Sequence, residues 1–264
     1  MNKLLKWGKF VLLLILCVRS AAAQTNVFEY REGGIVRGAK EKKQIALEFT
    51  ADTFSTGAET ILDQLERHNA KASFFLTGNF LRKPENKVIV QRIVRGGHYL
   101  GPHSDKHPLY APWSGEKKTI ITQQEFNADL ANNLREIERF GVKRSAVKFW
   151  IPPYEWYNDE IVQWSRGLGL TLINFTPGTR SSADYTENDA KNFVPAQTIL
   201  DSIINKEKKD GLNGFLLLLH FGVSPKRTDL MADRVGELFD YLQAKEYKFV
   251  RVDQLLTPAV PLPK

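Results

Sequence analysis

The alternation of short apolar segments with helical patterns limits the possible folds of this chain more than any other feature. Several segments are apolar at consecutive positions, as is typical of strands covered on both faces. Strands that alternate with helices pair in parallel, because each helix carries the chain back across the sheet. The chain is therefore predicted to be an α/β protein. The predicted strands are residues 44–50, 72–77, 98–100, 147–151, 171–175, 215–219 and 248–252.

The helices between these strands have recognisable ends. Capping-box spacing, a Thr followed three residues later by Glu, occurs at residues 56–59 and at residues 122–125. Further helices are predicted over residues 84–96 and 228–245, the first ended by a pair of glycines. An open doubly wound sheet and a barrel both satisfy this pattern. The length favours a TIM-type barrel with one unit missing or distorted.

The first 23 residues have the composition of an export signal. They contain four basic residues, no acid, an apolar run over residues 10–18 and three alanines at residues 21–23. The apolar run has nine residues, which is too short to span a bilayer. We expect an exported protein, periplasmic or secreted, with no stable membrane anchor after signal cleavage. Residues 24–43 are expected to form an N-terminal extended arm or a small hairpin.

Signal cleavage would also change the composition of the chain. It would remove Cys17, the one cysteine, and four positive charges, which lowers the formal net charge from +7 to +3. One cysteine excludes a disulfide scaffold. A charge of +3 gives little reason for nucleic-acid binding, and no nucleic-acid partner is expected.

Polar side chains follow four of the predicted strands, at the point where each strand ends. Asp52 follows the first strand, His103 the third and Tyr154 the fourth, and His220 ends the segment at residues 215–219. In parallel α/β folds the active site lies at the carboxyl ends of the strands. We therefore expect these four side chains to lie at one rim.

Two histidines in this set have the spacing of metal ligands. His103 and His107 lie four residues apart, and on one helical turn both imidazoles would share a face and could chelate a divalent ion. With the Asp52 carboxylate they leave coordination positions open, as catalytic metal sites do. Two solvent-facing histidines and an Fe(II) oxygenase site are the alternatives for this pattern.

The remaining histidines and the aromatic residues have separate interpretations. His220 is a candidate for proton transfer, with a buried structural role as the alternative, whereas His68 and His98 are assigned to structure. Trp113 and Trp156, in loops of the predicted rim, are candidates to stack on sugar rings, with core packing as the alternative. Trp150 is assigned to the core.

Five segments carry motifs in a fixed order along the chain: residues 45–52, 71–78, 97–107, 152–154 and 218–220. Together these segments resemble the NodB-type polysaccharide deacetylases. The resemblance covers roughly residues 44–254, and the order and spacing of several motifs make it specific. It implies a deformed (β/α) barrel with about seven parallel strands over residues 44–264. It also implies a metal-dependent hydrolase that removes acetyl groups from a carbohydrate polymer.

The resemblance also implies roles for individual residues. Asp52, His103 and His107 would match the ligands of one divalent metal ion, with Zn²⁺ as the expected ion. His220 would match the general acid, and Tyr154 would donate its backbone N–H to the oxyanion. The implied partner is an acetylated polysaccharide or oligosaccharide.

The chain departs from the pattern of this family at the general base. The family's first motif ends in paired aspartates, the first of which is the base, whereas Thr50 and Ala51 precede Asp52 here. The arginine that orients the base is replaced by Ile151. A later Asp-Trp motif of the family is not recognisable in residues 176–185. The proton-transfer groups are therefore either rebuilt or lost.

A relocated base would have to be another carboxylate near the metal. Glu155, directly after Tyr154, is the first candidate, with a solvated loop acid as its alternative, and Glu48 and Asp184 are weaker candidates. Without a base some hydrolysis remains possible, because proton transfer contributes about 10²–10⁴-fold. The leading hypothesis is an exported carbohydrate deacetylase or esterase with a reorganised base. The alternative is a weak or inactive pseudoenzyme that retains the metal and binds glycans.

Overall fold

The computed structural model describes residues 27–257. The export signal predicted for residues 1–23, with Cys17, lies outside the described residues and stays a prediction. Within residues 27–257, no helix combines the length and the apolar character needed to cross a bilayer.

Strands and helices alternate over most of the described chain, and each of the seven predicted strand segments overlaps a strand. The strands are β1 (Glu29–Arg31), β2 (Gly34–Arg37), β3 (Gln44–Ala51), β4 (Ser73–Leu76), β5 (Tyr99–Pro102), β6 (Phe149–Trp150), β7 (Thr171–Leu172), β8 (Phe215–His220) and β9 (Lys248–Phe249). The helices are α1 (Ala58–Arg67), α2 (Gly78–Arg82), α3 (Lys87–Arg95), α4 (Gln123–Glu138), α5 (Asp159–Gly167), α6 (Ala196–Asp210), α7 (Val235–Ala244) and α8 (Val252–Leu255).

The main sheet is built around β3. Its order is β1-β2-β8-β3-β4-β5, with β9 beside the first residues of β3, and β6 and β7 form a separate pair. Every pairing among the seven predicted strands is parallel. The predicted parallel α/β arrangement is confirmed.

Backbone contacts join the two sheets into a distorted barrel. The Ile151 N–H donates to the Pro102 carbonyl at 3.3 Å, and the Asn174 N–H donates to the Ile35 carbonyl of β2 at 2.8 Å. On its other side β2 pairs antiparallel with β8. The β1–β2 hairpin, one of the two forms expected for residues 24–43, thus fills the gap between β7 and β8. The predicted deformed (β/α) barrel is confirmed.

One of the two predicted capping boxes is present in the structure and the other is not. The Thr122 capping box is present, with its side chain accepting from the Glu125 N–H. The capping box expected at residues 56–59 is wrong, because Thr56 makes a backbone bridge with Val223. Gly57, in the left-handed region at φ 93°, takes the capping position of α1 instead.

The other two predicted helices are present with adjusted ends. A 3₁₀ turn at Pro84–Asn86 leads into α3, and Gly96 follows its last residue, as the sequence predicted. The helix expected over residues 228–245 begins later, because residues Met231–Arg234 form a 3₁₀ turn before α7.

Alternate residues of β3 face two different apolar layers, as the two-residue period of a strand requires. Ile45, Leu47 and Phe49 pack between the sheet and the helices. Ala46 faces the barrel interior, and Glu48, two residues further along β3, shares its face.

Glu48 is an acid buried inside the barrel. None of its surface is exposed, and neither carboxylate oxygen has a hydrogen-bond partner among the described residues. Burial, together with the negative charge of Glu155, raises the pKa of Glu48 well above its ordinary value. The neutral form of the side chain is therefore favoured in the folded protein.

We expect replacement of Glu48 by Gln to stabilise the protein increasingly as the pH rises. A raised folded-state pKa contributes stability that is complete below the unfolded pKa and is lost as the pH rises toward the folded pKa. Glu48→Gln does not lose stability in this way, because its side chain does not ionise. The unfolding free energy of the variant minus that of the native protein should therefore grow by up to about 1.4 kcal/mol per pH unit above about pH 4.3. Urea unfolding of both proteins at several pH values measures this difference. Glu85→Gln, at an exposed position, is the control, and an equal response of both variants would contradict the assignment.

Candidate functional site

The carboxyl ends of the central strands open into a cavity of about 780 Å³. The predicted site residues that line it come from the carboxyl ends of four different strands and the loops that follow them, so the chain brings together side chains far apart in sequence. Trp156 lines an adjoining cavity instead. The predicted residues in the larger cavity are Asp52, His103, His107, Trp113, Tyr154, Glu155 and His220.

The two candidate metal-ligand histidines face each other. The Nδ1 of His103 lies 2.9 Å from the Ile151 carbonyl, and because a carbonyl only accepts, Nδ1 carries the hydrogen and leaves Nε2 as an acceptor. This Nε2 lies 3.3 Å from Nε2 of His107. Two nitrogens bound to one tetrahedral Zn²⁺ at about 2.0–2.1 Å would stand about 3.4 Å apart. The pair therefore has the spacing of two ligands of one ion.

The segment between these histidines is a loop, so the predicted helical turn is wrong. Ser104 and His107 have φ values of 71° and 57°, in the left-handed region. The His107 N–H donates to the Ser104 hydroxyl at 2.8 Å. The N–H groups of residues 105 and 106 donate to the Asp129 carboxylate of α4. These bonds satisfy the loop backbone and replace those that a helical turn would have made.

Asp52 is held by three neutral donors. Its Oδ1 accepts from the Thr77 hydroxyl and the Asn79 amide, each at 3.0 Å, and its Oδ2 accepts from the Thr53 hydroxyl at 2.8 Å. Burial acts to raise the pKa of Asp52, but these hydrogen bonds and the charge of His107 outweigh it and lower the pKa. The carboxylate is therefore ionised at neutral pH.

The imidazole nitrogens of His103 and His107 and the carboxylate of Asp52 are the types of ligand that divalent ions bind. Among residues 27–257 as they lie, no three His, Cys, Asp or Glu side chains stand close enough together to hold one. His103 and His107 supply two converging nitrogens, and a carboxylate has about four lone-pair positions, of which Asp52 uses three. The histidine pair fits the ion, and Asp52 as the third ligand stays a prediction.

His220 is oriented by an aspartate. Its Nδ1 lies 2.7 Å from Oδ1 of Asp184, and its backbone N–H donates to Oδ2 at 2.9 Å. The Tyr185 ring lies 4.9 Å from the imidazole. Burial acts to lower the pKa of His220, but the charge of Asp184 and its hydrogen bond outweigh burial and raise the pKa.

Sequence reasoning missed the role of Asp184. It was considered only as a weak candidate for the base, yet both of its oxygens bind His220. Together, Asp184 and Tyr185 place an acid and an aromatic ring against the histidine. The acid–aromatic pair in the loop after β7 was the signal that could have found it.

Glu155 lies in a strained turn at the cavity wall. Tyr154 and Glu155 are both left-handed, with φ values of 60° and 53°, a conformation that costs on the order of 1 kcal/mol for a residue other than glycine. The Asn174 amide donates to the Glu155 carbonyl at 2.8 Å. Burial raises the pKa of Glu155 to about 7. The charge of His220 acts to lower this pKa, and the charge of Asp184 acts to raise it.

Aromatic rings extend from the histidine pair toward solvent. The Tyr154 ring lies 4.3 Å from the His107 ring and 5.3 Å from the Trp113 ring, and the Trp113 and Trp156 rings lie 5.6 Å apart. Trp113 is 59% exposed, so core packing does not explain it. Trp150, by contrast, is fully buried, as predicted.

His68 and His98 are placed away from the cavity. His68 bonds to the Gln64 carbonyl of its own helix, and Nδ1 of His98 accepts from the Ala72 N–H. Burial lowers the pKa of His98 to about 4. Both have the structural roles that the sequence indicated.

A sequence model described as "Polysaccharide deacetylase" matches residues 37–173. The chain belongs to the polysaccharide deacetylase family. A peptidoglycan-N-acetylglucosamine deacetylase of Bacillus cereus is 25% identical over 215 residues, which cover 81% of this chain and 89% of the relative.

Solved structures of deacetylase-family proteins share the fold. A family 4 pseudoenzyme of Bacillus anthracis has a TM-score of 0.66 and 22% identity, with 86% of this chain and 70% of that one covered. An acetyl xylan esterase of Clostridium thermocellum, in complex with a cobalt ion, has a TM-score of 0.63 and 20% identity over 81% of this chain and 90% of that one. At these identities the likeness shows the fold alone.

The residues predicted to stand in place of the family's base and its arginine lie in and behind the cavity wall. Thr50 and Ala51 line the cavity beside Asp52, and Ile151 is fully buried in the inner apolar cluster. The absence of the usual base and of its arginine stays a prediction from the sequence. Glu155 is the predicted base candidate that lines the cavity beside His220.

We expect replacement of Asp184 by Asn to lower the pKa of His220. The Asp184 charge raises that pKa in the native protein, and an amide retains the shape without the charge. Titration of the His220 ring protons by NMR measures the change. Asp240→Asn, which removes the carboxylate beside His68, is the control, and an unchanged His220 pKa in the Asp184 variant would contradict the pairing.

Proposed function

We propose that this chain is a metal-dependent deacetylase that hydrolyses the acetyl amide or ester bonds of a carbohydrate polymer, with a relocated general base. The observation that carries the proposal is the meeting of three kinds of group in one cavity. These are the facing histidine pair, the Asp184-supported His220 and the half-buried Glu155.

Asp52, His103 and His107 would hold one divalent ion, with Zn²⁺ as the expected ion. When bound, such an ion polarises the acetyl carbonyl and lowers the pKa of water. The cobalt ion in the Clostridium thermocellum neighbour supports a divalent site in this fold. The Ile151 carbonyl orients the His103 ring, as a hydrogen bond to the second ring nitrogen does in metal sites.

Glu155 acts as the general base in this proposal. It takes a proton from the attacking water while the water oxygen bonds to the acetyl carbon. A pKa of about 7 suits this task at neutral pH. The Asn174 amide fixes the Glu155 backbone, and the Tyr154 backbone N–H would stabilise the oxyanion.

His220 acts as the general acid. The raised pKa keeps a protonated fraction available, and Asp184 holds Nδ1 so that Nε2 carries the transferable proton. That proton goes to the leaving nitrogen or oxygen of the sugar as the bond to the acetyl carbon breaks, and acetate is released. The acid and base roles are thus given to two separate groups.

An acetylated polysaccharide or oligosaccharide is the proposed substrate. Trp113 lines the first cavity and Trp156 lines the adjoining one. Aromatic rings at such positions suit the apolar faces of sugar rings. The Bacillus cereus relative acts, by its name, on N-acetylglucosamine of peptidoglycan. Export to the periplasm or medium belongs to the proposal and is supported by the composition of residues 1–23.

Acetate release from peptidoglycan glycan strands and from acetylxylan, with the protein loaded with Zn²⁺ or Co²⁺, tests the proposed function. We expect acetate from at least one polymer and a loss of at least about 10²-fold when His103 and His107 are both replaced by Ala. Glycan binding without any acetate from the native protein would favour the pseudoenzyme alternative instead.

We expect Glu155→Gln to lower kcat by about 10²–10⁴-fold, the contribution of a positioned base. In the native protein kcat/KM should rise with pH as Glu155 loses its proton near pH 7, and this limb should be absent from the residual activity of the variant. Glu85→Gln, at an exposed position outside the cavity lining, is the control. Native kcat and an unchanged pH profile in Glu155→Gln would remove Glu155 from the mechanism.

A further inference from the structure

A second cavity, of about 560 Å³, adjoins the first. Tyr154, Glu155 and Tyr185 line both cavities. The two cavities therefore form one groove that runs past Glu155 and has an aromatic ring on each side. A polymer seated at the first cavity would extend its neighbouring sugar into the second.

The second cavity contains two arginines that lack an acidic partner. Arg31 comes from the end of β1, and Arg180 comes from the loop after β7. Neither guanidinium makes an ion pair with any residue in 27–257. Two other charges in this cavity neutralise each other, because Lys117 lies 2.6 Å from the Glu32 carboxylate. Glu155, at the boundary, is the remaining acid of the lining.

The backbone on both sides of this cavity is held in place. The Arg31 carbonyl accepts from the Tyr157 hydroxyl at 2.8 Å, and the Arg180 N–H donates to the Ser202 hydroxyl at 2.9 Å. Trp156 forms part of the wall, with the Lys117 ammonium 3.5 Å from its ring centroid. The arginines thus extend from anchored positions into a partly aromatic pocket.

We propose that this second cavity is a subsite for an anionic substituent, a carboxylate or a phosphate, on the sugar next to the acetylated one. The inference rests on the proposed function, because the second cavity contacts the neighbouring sugar only if the first cavity binds the acetylated sugar. A guanidinium presents a planar set of N–H donors that matches both oxyanions. Repulsion from Glu155 would hold the anion at the arginine end of the groove.

The test compares substrates that differ only in charge. One is an acetylated glycan oligomer whose alternate sugars carry a free lactyl carboxylate, and the second is the same oligomer with that carboxylate converted to an amide. A third carries a phosphate ester at the same position and distinguishes the two sources of charge. The measured quantity is kcat/KM for each charged oligomer divided by kcat/KM for the amide.

We expect this ratio to be roughly three to ten in the native protein, as two partly exposed ion pairs would give, and to fall as salt is added. It should drop to about one in the Arg31→Gln, Arg180→Gln double variant. Neither arginine side chain makes a hydrogen bond within residues 27–257, so the double variant should fold. Arg95→Gln, an exposed arginine at the end of α3, is matched in charge and should keep the native ratio.

The outcomes separate the two proposals. A native ratio of about one for both charged oligomers, or a raised ratio that survives in the double variant, overturns the anionic subsite while leaving the deacetylase intact. If no oligomer is hydrolysed, the proposed activity fails. In that case calorimetry measures the dissociation constants of the carboxylate and amide oligomers. The subsite is supported if the native protein binds the carboxylate oligomer more tightly than the amide oligomer and the double variant does not.

Discussion

The parallel pairing of β3 with β8 is the constraint on which the site depends. It runs in one register from Ile45 opposite Phe215 to Thr50 opposite His220. That register brings the end of β3, where Asp52 follows, beside the histidine that ends β8. Because successive side chains alternate in direction, a shift of one residue would turn Thr50 and Glu48 out of the barrel. Burial of apolar residues on both faces of β3 fixes the register and hence the positions of the polar groups.

Part of this arrangement was predictable because it follows from patterns that repeat. Runs of apolar residues indicated all seven parallel strands, and the rule that active sites lie at strand carboxyl ends placed Asp52, His103 and His220 in one cavity. The β2 strand, only four residues long, has too little periodic pattern to reveal that it closes the barrel. Its role depends on a backbone hydrogen bond from Asn174. A contact between residues so far apart in sequence cannot be predicted from a local pattern.

The details that matter for chemistry lie in loops, where the sequence gives the weakest signals. The left-handed backbone of Tyr154 and Glu155 could not be predicted from these residue types, because neither residue is glycine. The contact of Asp184 with His220 spans two distant loops. His103 and His107 do meet as their spacing suggested, but through a loop held by Asp129 rather than a helical turn. Tertiary hydrogen bonds decided each of these conformations.

The β1–β2 hairpin ties the beginning of the barrel to its end. Because Arg37 pairs with Phe215, the wall cannot close until the chain has been synthesised nearly to its last strand. Local βα units are able to form earlier, but the cavity they surround stays open on one side. A nascent chain would therefore lack the closed cavity for most of its synthesis, and the site would take its shape only after β8 has joined the sheet.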